Sequence, residues 1–301
     1  MNSVHFPNFL IAGAAKGGTT SLYYYLKQHP DVFLSTIKEP CFLCFDGYKP
    51  TYEVGRNTIL DFEEYQNLFK NSEKCKVRGE ATAIYLYLYE RTINNIKKFI
   101  PDFINQKIVI ILRNPVERAF SQYMMNVRDL REDLSFEEAL KIESERKAAN
   151  VSTDFFYVDR GFYYEQVKAY IDNFKHVKVY LYDELVENPK LLMKDLCQFL
   201  EINSDFEFNT GEKFNVSGRP KYKFISKLIR QDSFLKKMLK FFLPKEKRKA
   251  MAVSLKNKMN SINLKKEKMN SETKDRLKAV FKNDIEKLQQ LVHKDLSKWL
   301  Q

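Results

Sequence analysis

The stretch Phe9-Leu10-Ile11-Ala12-Gly13-Ala14-Ala15-Lys16-Gly17-Gly18-Thr19-Thr20-Ser21 decides the architecture. Phe9–Gly13 is a short apolar run of the length expected for a buried strand. A loop of small residues follows, and then an apolar pattern at helical spacing over 20–28. Small residues between a strand and a helix let backbone N–H groups approach an anion closely, and the helix N-terminus adds roughly half a positive charge. Thr19, Thr20 and Ser21 contribute hydroxyl donors, Gly17 and Gly18 the close approach, and Lys16 a cation. A tight turn without a ligand needs a single glycine, so this run reads as a phosphate-binding loop. It is not the nucleotide-triphosphate version, which requires Lys-Ser/Thr directly after the second glycine. Here Thr19 follows Gly18, and the lysine has moved upstream to Lys16.

Outward from this loop, short apolar runs alternate with amphipathic helical patterns. The runs are Phe9–Gly13, Lys107–Leu112 and Val177–Tyr182. The helical patterns cover Thr20–Gln28, Tyr85–Phe99, Pro115–Asp129, Ser135–Lys147, Gly161–Phe174 and Pro189–Leu200. Such alternation predicts an α/β, P-loop-like three-layer fold, a central parallel sheet flanked by helices. Ser135 and Glu138 predict a capping box. After Pro220 the chain turns lysine-rich and helical, which predicts a helical C-terminal extension. Residues 1–221 are expected to be the core and 222–301 a lysine-rich helical part packed on the same domain. The aromatic groups Tyr23–Tyr25 and Tyr85–Tyr89 are at helical spacing and read as core packing.

The second strong strand, Ile108–Leu112, ends in Arg113, not in the Asp expected of a magnesium site. Arg113 falls at a strand's carboxyl end, where ligands bind in open α/β sheets. Ser121 follows two helical turns later. A cation at this place favours a bare anionic group over a Mg-nucleotide, and makes Arg113 with Ser121 a second anion site.

With both motifs read, the sequence resembles the sulfotransferases that use 3′-phosphoadenosine-5′-phosphosulfate (PAPS), closest to the carbohydrate-modifying branch and its bacterial relatives. Lys16–Leu22 is similar to the 5′-phosphosulfate loop of that family, and Arg113–Ser121 to its 3′-phosphate motif. Lys38-Glu39-Pro40, Gly79–Thr82, Gly161-Phe162-Tyr163 and the terminal Asp295–Trp299 also fit. So does Asn215–Lys221, which resembles the late loop closing over the cosubstrate. The resemblance implies transfer of a sulfuryl group from PAPS to a hydroxyl or amine by in-line displacement, leaving adenosine 3′,5′-bisphosphate. It implies that Lys16 neutralises the leaving oxygen, that Glu39 is the general base, and that Lys38 steadies the transferring group. Cosubstrate binding is implied for Lys16, Gly17, Gly18, Thr19, Thr20, Ser21, Arg113, Ser121, Ser217, Gly218, Arg219 and Lys221. No metal is expected. The implied acceptor is a glycan, glycolipid or small molecule. One departure lies at Ala81, where several glycosaminoglycan-modifying relatives carry a lysine. Glu80 reads equally as a second site carboxylate or as a structural residue.

The formal net charge of +12 over 301 residues would by itself suggest a nucleic-acid or membrane partner. It is unevenly placed. Residues 1–220 hold 28 Lys/Arg against 31 Asp/Glu, and the remainder 23 against 8, net charges of −3 and +15. The segment holding the motifs is therefore not the basic one, and no nucleic acid is expected. The basic part reads first as a solvated face. Its apolar stretch Phe224–Leu243 also allows a positive wall beside the acceptor or peripheral membrane contact. Four scattered cysteines and no N-terminal signal pattern fit a cytoplasmic protein, and Cys41-x-x-Cys44 lacks the second pair a zinc site needs. The alternatives weighed are a P-loop nucleotide kinase or NTPase and a basic nucleic-acid-binding protein.

Overall fold

The computed structural model describes residues 6–211 apart from 49, 53, 54 and 56, together with 219–220, 264–265 and 267–301. Five strands, β1 (Phe9–Gly13), β2 (Val32–Leu34), β3 (Val77–Ala81), β4 (Lys107–Leu112) and β5 (His176–Leu181), form one parallel sheet in the order β2-β3-β1-β4-β5. The first helices are α1 (Thr19–Leu26), α2 (Phe42–Phe45), α3 (Phe62–Asn67), α4 (Tyr89–Phe99), α5 (Pro115–Arg128) and α6 (Phe136–Lys141). They are followed by α7 (Glu143–Ala148), α8 (Tyr164–Asn173), α9 (Tyr182–Glu187), α10 (Pro189–Leu200) and α11 (Ser271–Val292). Residues Arg219–Pro220 (β6) and Leu264–Lys265 (β7) pair antiparallel.

The two central strands are continuous apolar runs because both faces of the sheet are covered. Leu10, Ala12, Ile108, Ile110 and Leu112 join one apolar cluster, with side chains of α2 to α6, α8 and α11. Phe9, Ile11, Val109 and Ile111 join the other, with α1, α9 and α10. This is the expected three-layer α/β fold with a helical C-terminal extension. The expected boundary near residue 221 lies outside the described residues.

Local sequence sets the helix ends. Asn114 caps α5 by accepting from Val116 and Glu117 N–H, and Pro115 takes the first position, where a missing N–H costs nothing. Asn188 and Pro189 repeat the device at α10. Ser135 and Glu138 form the expected capping box. The helix expected over Ser135–Lys147 is two helices meeting at Ile142. The one expected from Tyr85 starts at Tyr89, because the preceding backbone is engaged elsewhere. Leu86 N–H donates to Ala12 O (2.7 Å), and Tyr85 O accepts from Tyr170 Oη (2.8 Å). The helix expected from Gly161 likewise begins at Tyr164, after a 3-10 turn over Asp159–Gly161. Strands β2 and β3 escape the sequence reading: β2 is three residues long, and β3 carries Arg78, Gly79 and Glu80. Gly79 is required in β3, since a Cβ there would lie 2.4 Å from Phe9 O of the neighbouring strand.

This topology fixes the site. From β1 the chain runs outward to the edge, returns through β3, and crosses to β4 on β1's other side. The neighbours β1 and β4 thus lead into helices on opposite faces, α1 and α5. Their carboxyl ends form the switch point at which open α/β sheets bind ligands.

Candidate active site

The loop between β1 and α1 is built against β4. Ala14 N–H donates to Ile111 O (2.8 Å) and Gly17 N–H to Ala14 O (2.9 Å). A Cβ on Gly17 would meet Ile111 O at 2.3 Å, so only glycine lets the loop lie this close to the strand. Gly18 has φ +108° and opens α1, with no side chain capping the helix. Left-handed backbone of that kind suits glycine, and the helix N-terminus is left to the loop. Thr19 is buried, while Thr20 and Ser21 are half-buried.

Lys16 itself has φ +70°. Its Nζ lies 3.7 Å from Met125 Sδ of α5. Burial, and then the positive charges of Arg128 and Arg113, pull its pKa from 10.5 to about 7, against the opposing pull of Asp129 and Glu39. Lys16 thus lies within electrostatic reach of both Arg113 and Glu39. An anion arriving beside Lys16 would relieve the unfavourable charge.

Arg113 leaves β4 one residue before the cap of α5. Its Nε and Nη2 both donate to Glu117 Oε2 (3.3 and 2.9 Å), and its guanidinium lies 4.7 Å from the Tyr182 ring centroid. Tyr163 Oη donates to Arg113 O (3.1 Å). Ser121 lies half-buried on α5. Sequence reading did not single out Tyr182, Glu117 or Arg128 here. Tyr182 was accessible by the rule that selected Arg113, since it too follows directly on the carboxyl end of a strand.

Glu39 sits on the chain beyond β2, which continues alongside β3: Ser35 N–H donates to Gly79 O (2.9 Å) and Glu39 N–H to Ala81 O (3.1 Å). Glu39 has φ +64°, an uncommon conformation for a side-chain-bearing residue that clusters at functional sites. Its carboxylate pairs with Lys38 Nζ (2.9 Å) and is partly exposed, so a substrate can reach it. Ala81 is fully buried and offers its carbonyl to the Glu39 backbone.

Glu80, directly before Ala81, is fully buried. It accepts from Thr82 Oγ1 (2.7 Å) and Tyr65 Oη (3.4 Å). Burial pushes its pKa up to about 7 in spite of these hydrogen bonds and that of Tyr85. Its closed set of partners fits the structural of its two readings.

The late-loop residues Ser217, Gly218 and Lys221 lie outside the described residues, as does 224–243. Arg219 is described only as backbone, in β6, which runs beside α5. Tyr23, Tyr25 and Tyr85 are buried in the core, whereas Tyr24, Tyr87 and Tyr89 are half-buried. Among the described residues, no helix is long and apolar enough to cross a membrane. Nor does any group of three or more His, Cys, Asp or Glu there have the geometry to hold a metal.

The strand–loop–helix that carries Lys16, the cation Arg113 at the adjacent strand end and the Glu39 carboxylate within electrostatic reach of Lys16 make up the candidate site. Residues 7–206 match the profile described as "Sulfotransferase family", and the chain belongs to that family. The crystal structure of a sulfotransferase from Alicyclobacillus acidocaldarius superposes with a TM-score of 0.75 at 32% identity, covering 99% of this chain and 100% of that one. The membrane-associated sulfotransferase kil1 of Dictyostelium discoideum is 35% identical over 43% of this chain and 25% of its own length. Mouse heparan sulfate glucosamine 3-O-sulfotransferase 3B1 is 26% identical over 70% of this chain and 52% of its own. Human carbohydrate sulfotransferase 15 is 31% identical over 39% and 27%. The chain thus spans between about a quarter and a half of the curated relatives it matches.

Proposed function

We propose that this sulfotransferase takes its sulfuryl group from PAPS and delivers it to a hydroxyl or amine of a carbohydrate-containing acceptor. The observation that carries the donor assignment is the meeting of two separate cationic positions, Lys16 and Arg113, at neighbouring strand ends. PAPS bears anionic groups at both ends of its adenosine, and a phosphomonoester alone contributes about −1.5 to −2. The Lys16–Ser21 loop suits the 5′-phosphosulfate. Arg113, with Ser121, suits the 3′-phosphate. Arg219 and the late-loop residues would close over the nucleotide. The acceptor class rests on two of these relatives, whose names specify carbohydrate and heparan sulfate.

In this reading, Glu39 accepts the proton of the acceptor hydroxyl as its oxygen attacks sulfur. The bond from sulfur to the 5′-phosphate oxygen breaks in line, and adenosine 3′,5′-bisphosphate leaves. Lys16 neutralises the charge growing on that leaving oxygen, help commonly worth about 3–4 kcal/mol for a preorganised donor. Lys38, paired with Glu39, would steady the transferring group.

The test is Glu39→Gln, assayed with labelled PAPS over a panel of glycans, glycolipids and small alcohols. The variant is expected to bind adenosine 3′,5′-bisphosphate as the wild type does while transfer falls by about 10²–10⁴-fold. Transfer that survived the substitution would remove Glu39 as the base. Wild-type protein that transferred label to none of the glycans but to a small alcohol would overturn the acceptor class.

A further inference from the structure

The family match ends at residue 206, yet the chain beyond it reaches the anion site. Three connections converge on Arg113. The first passes through α11. Asp284 accepts from Tyr163 N–H (2.8 Å) and Tyr164 N–H (3.2 Å) where α8 begins, and Tyr163 Oη in turn holds Arg113 O (3.1 Å). The second comes from the terminus: Trp299, buried, accepts through its carbonyl from Asn114 Nδ2 (3.3 Å), and its ring meets Tyr163 edge-on. Asn114 is the residue after Arg113 and the cap of α5. The third runs on the opposite side. Lys294 pairs with Glu184 (2.5 Å), whose other oxygen accepts from Leu181 N–H (2.6 Å) at the start of α9. Tyr182, in that first turn, is the ring beside the Arg113 guanidinium.

The backbone carbonyl, the following residue and the ring partner of one arginine are thus all tied to residues 271–301. Nothing in the sequential motif requires this, since the Lys16 loop, Arg113 and Ser121 all lie within the matched region. We infer that 271–301 is a brace for the second anion position, and that Asp284, Lys294 and Tyr163 are positioning residues that set the preference for a nucleotide carrying a 3′-phosphate. The inference rests on the PAPS reading for the identity of that anion. A guanidinium delivers its planar hydrogen bonds only when its base and flanks are fixed, so loosening the brace weakens the 3′-phosphate contact and spares the 5′ end held by the Lys16 loop.

The experiment measures the Kd of adenosine 3′,5′-bisphosphate and of adenosine 5′-phosphate by calorimetry on the full chain. It compares wild type with Tyr163→Phe, Lys294→Ala and Asp284→Asn, each also combined with Arg113→Ala. Each single variant is expected to weaken the bisphosphate about fivefold, the effect of one net hydrogen bond, and the monophosphate less than about twofold. In the Arg113→Ala background the same substitutions are expected to have no further effect, because they act through that side chain. Equal weakening of both nucleotides, an unchanged preference, or full additivity with Arg113→Ala would each overturn the brace. Two results separate the failures. If wild type prefers the bisphosphate and Arg113→Ala abolishes the preference while the brace variants keep it, only this inference falls. If wild type shows no preference, the donor reading falls and this inference falls with it.

Discussion

Lys16 concentrates the chemistry at the scale of single residues. Its free-state pKa of about 7 arises from burial together with Arg128 and Arg113, so near neutral pH its charge is held at a cost. Bound anion favours the protonated form. Binding of adenosine 3′,5′-bisphosphate is therefore expected to take up protons at and above about pH 7, and affinity is expected to fall as the pH rises further. Calorimetry in two buffers of different ionisation heat, at about pH 8 where the phosphate is fully ionised, reads the uptake directly. It should approach one proton per site and vanish in Lys16→Met. Uptake that persisted in that variant would assign the proton to another group. The sign also bears on stability. A lysine whose pKa is depressed on folding leaves the unfolded chain binding more protons, so this residue's cost is full below about 7. It is lost as the pH rises toward the unfolded value of 10.5.

Among the elements, the decisive one is the turn from β1 to α1, which is locked to β4 by backbone contact. Gly17 has no space for a side chain, the obstacle being the carbonyl of Ile111, which cannot move without disturbing the central strand. Gly17→Ala is expected to destabilise the fold by about 1–3 kcal/mol, the usual cost of overpacking, and to weaken nucleotide binding as the loop lifts from the sheet. Thermal unfolding with and without nucleotide checks both effects, and an alanine variant with unaltered Tm would contradict the packing. Elements differ in how far sequence reveals them. β1, β4 and α10 were legible to the residue because their apolar runs and their Pro and Asn punctuation agree. β3 was not, since Glu80 and Arg78 break the strand pattern, and the buried Glu80 is satisfied in part by Tyr65, which arrives from α3. The Ser135–Lys147 pattern read as one helix because local propensity does not reveal that Glu143 turns inward to accept from Tyr157, Val158 and Asp159 N–H.

For the molecule as a whole, charge and site are separate. The net +15 of residues 221–301 is not what makes the proposed anion site. That site uses a few placed cations in a segment whose own net charge is −3. Part of the basic region nevertheless enters the architecture, through α11 and the terminal turn, as supports of Arg113. The motifs, Lys16–Ser21 and Arg113 with Ser121, could be read in the sequence because strand-end chemistry is local. Their joining could not, because it depends on the crossover that sets β4 against β1. Nor could Asp284 and Lys294, which reach the site only through tertiary contact. The central claim is that these two positions grip the two ends of one nucleotide. The most direct measurement is the Tm of wild type and Arg113→Ala with adenosine 3′,5′-bisphosphate at up to about 100 times its Kd, where linkage is worth about 2.7 kcal/mol. The account predicts a rise of several degrees for wild type and little or none for Arg113→Ala. No shift in the wild type at millimolar ligand, or an equal shift in both proteins, would contradict it.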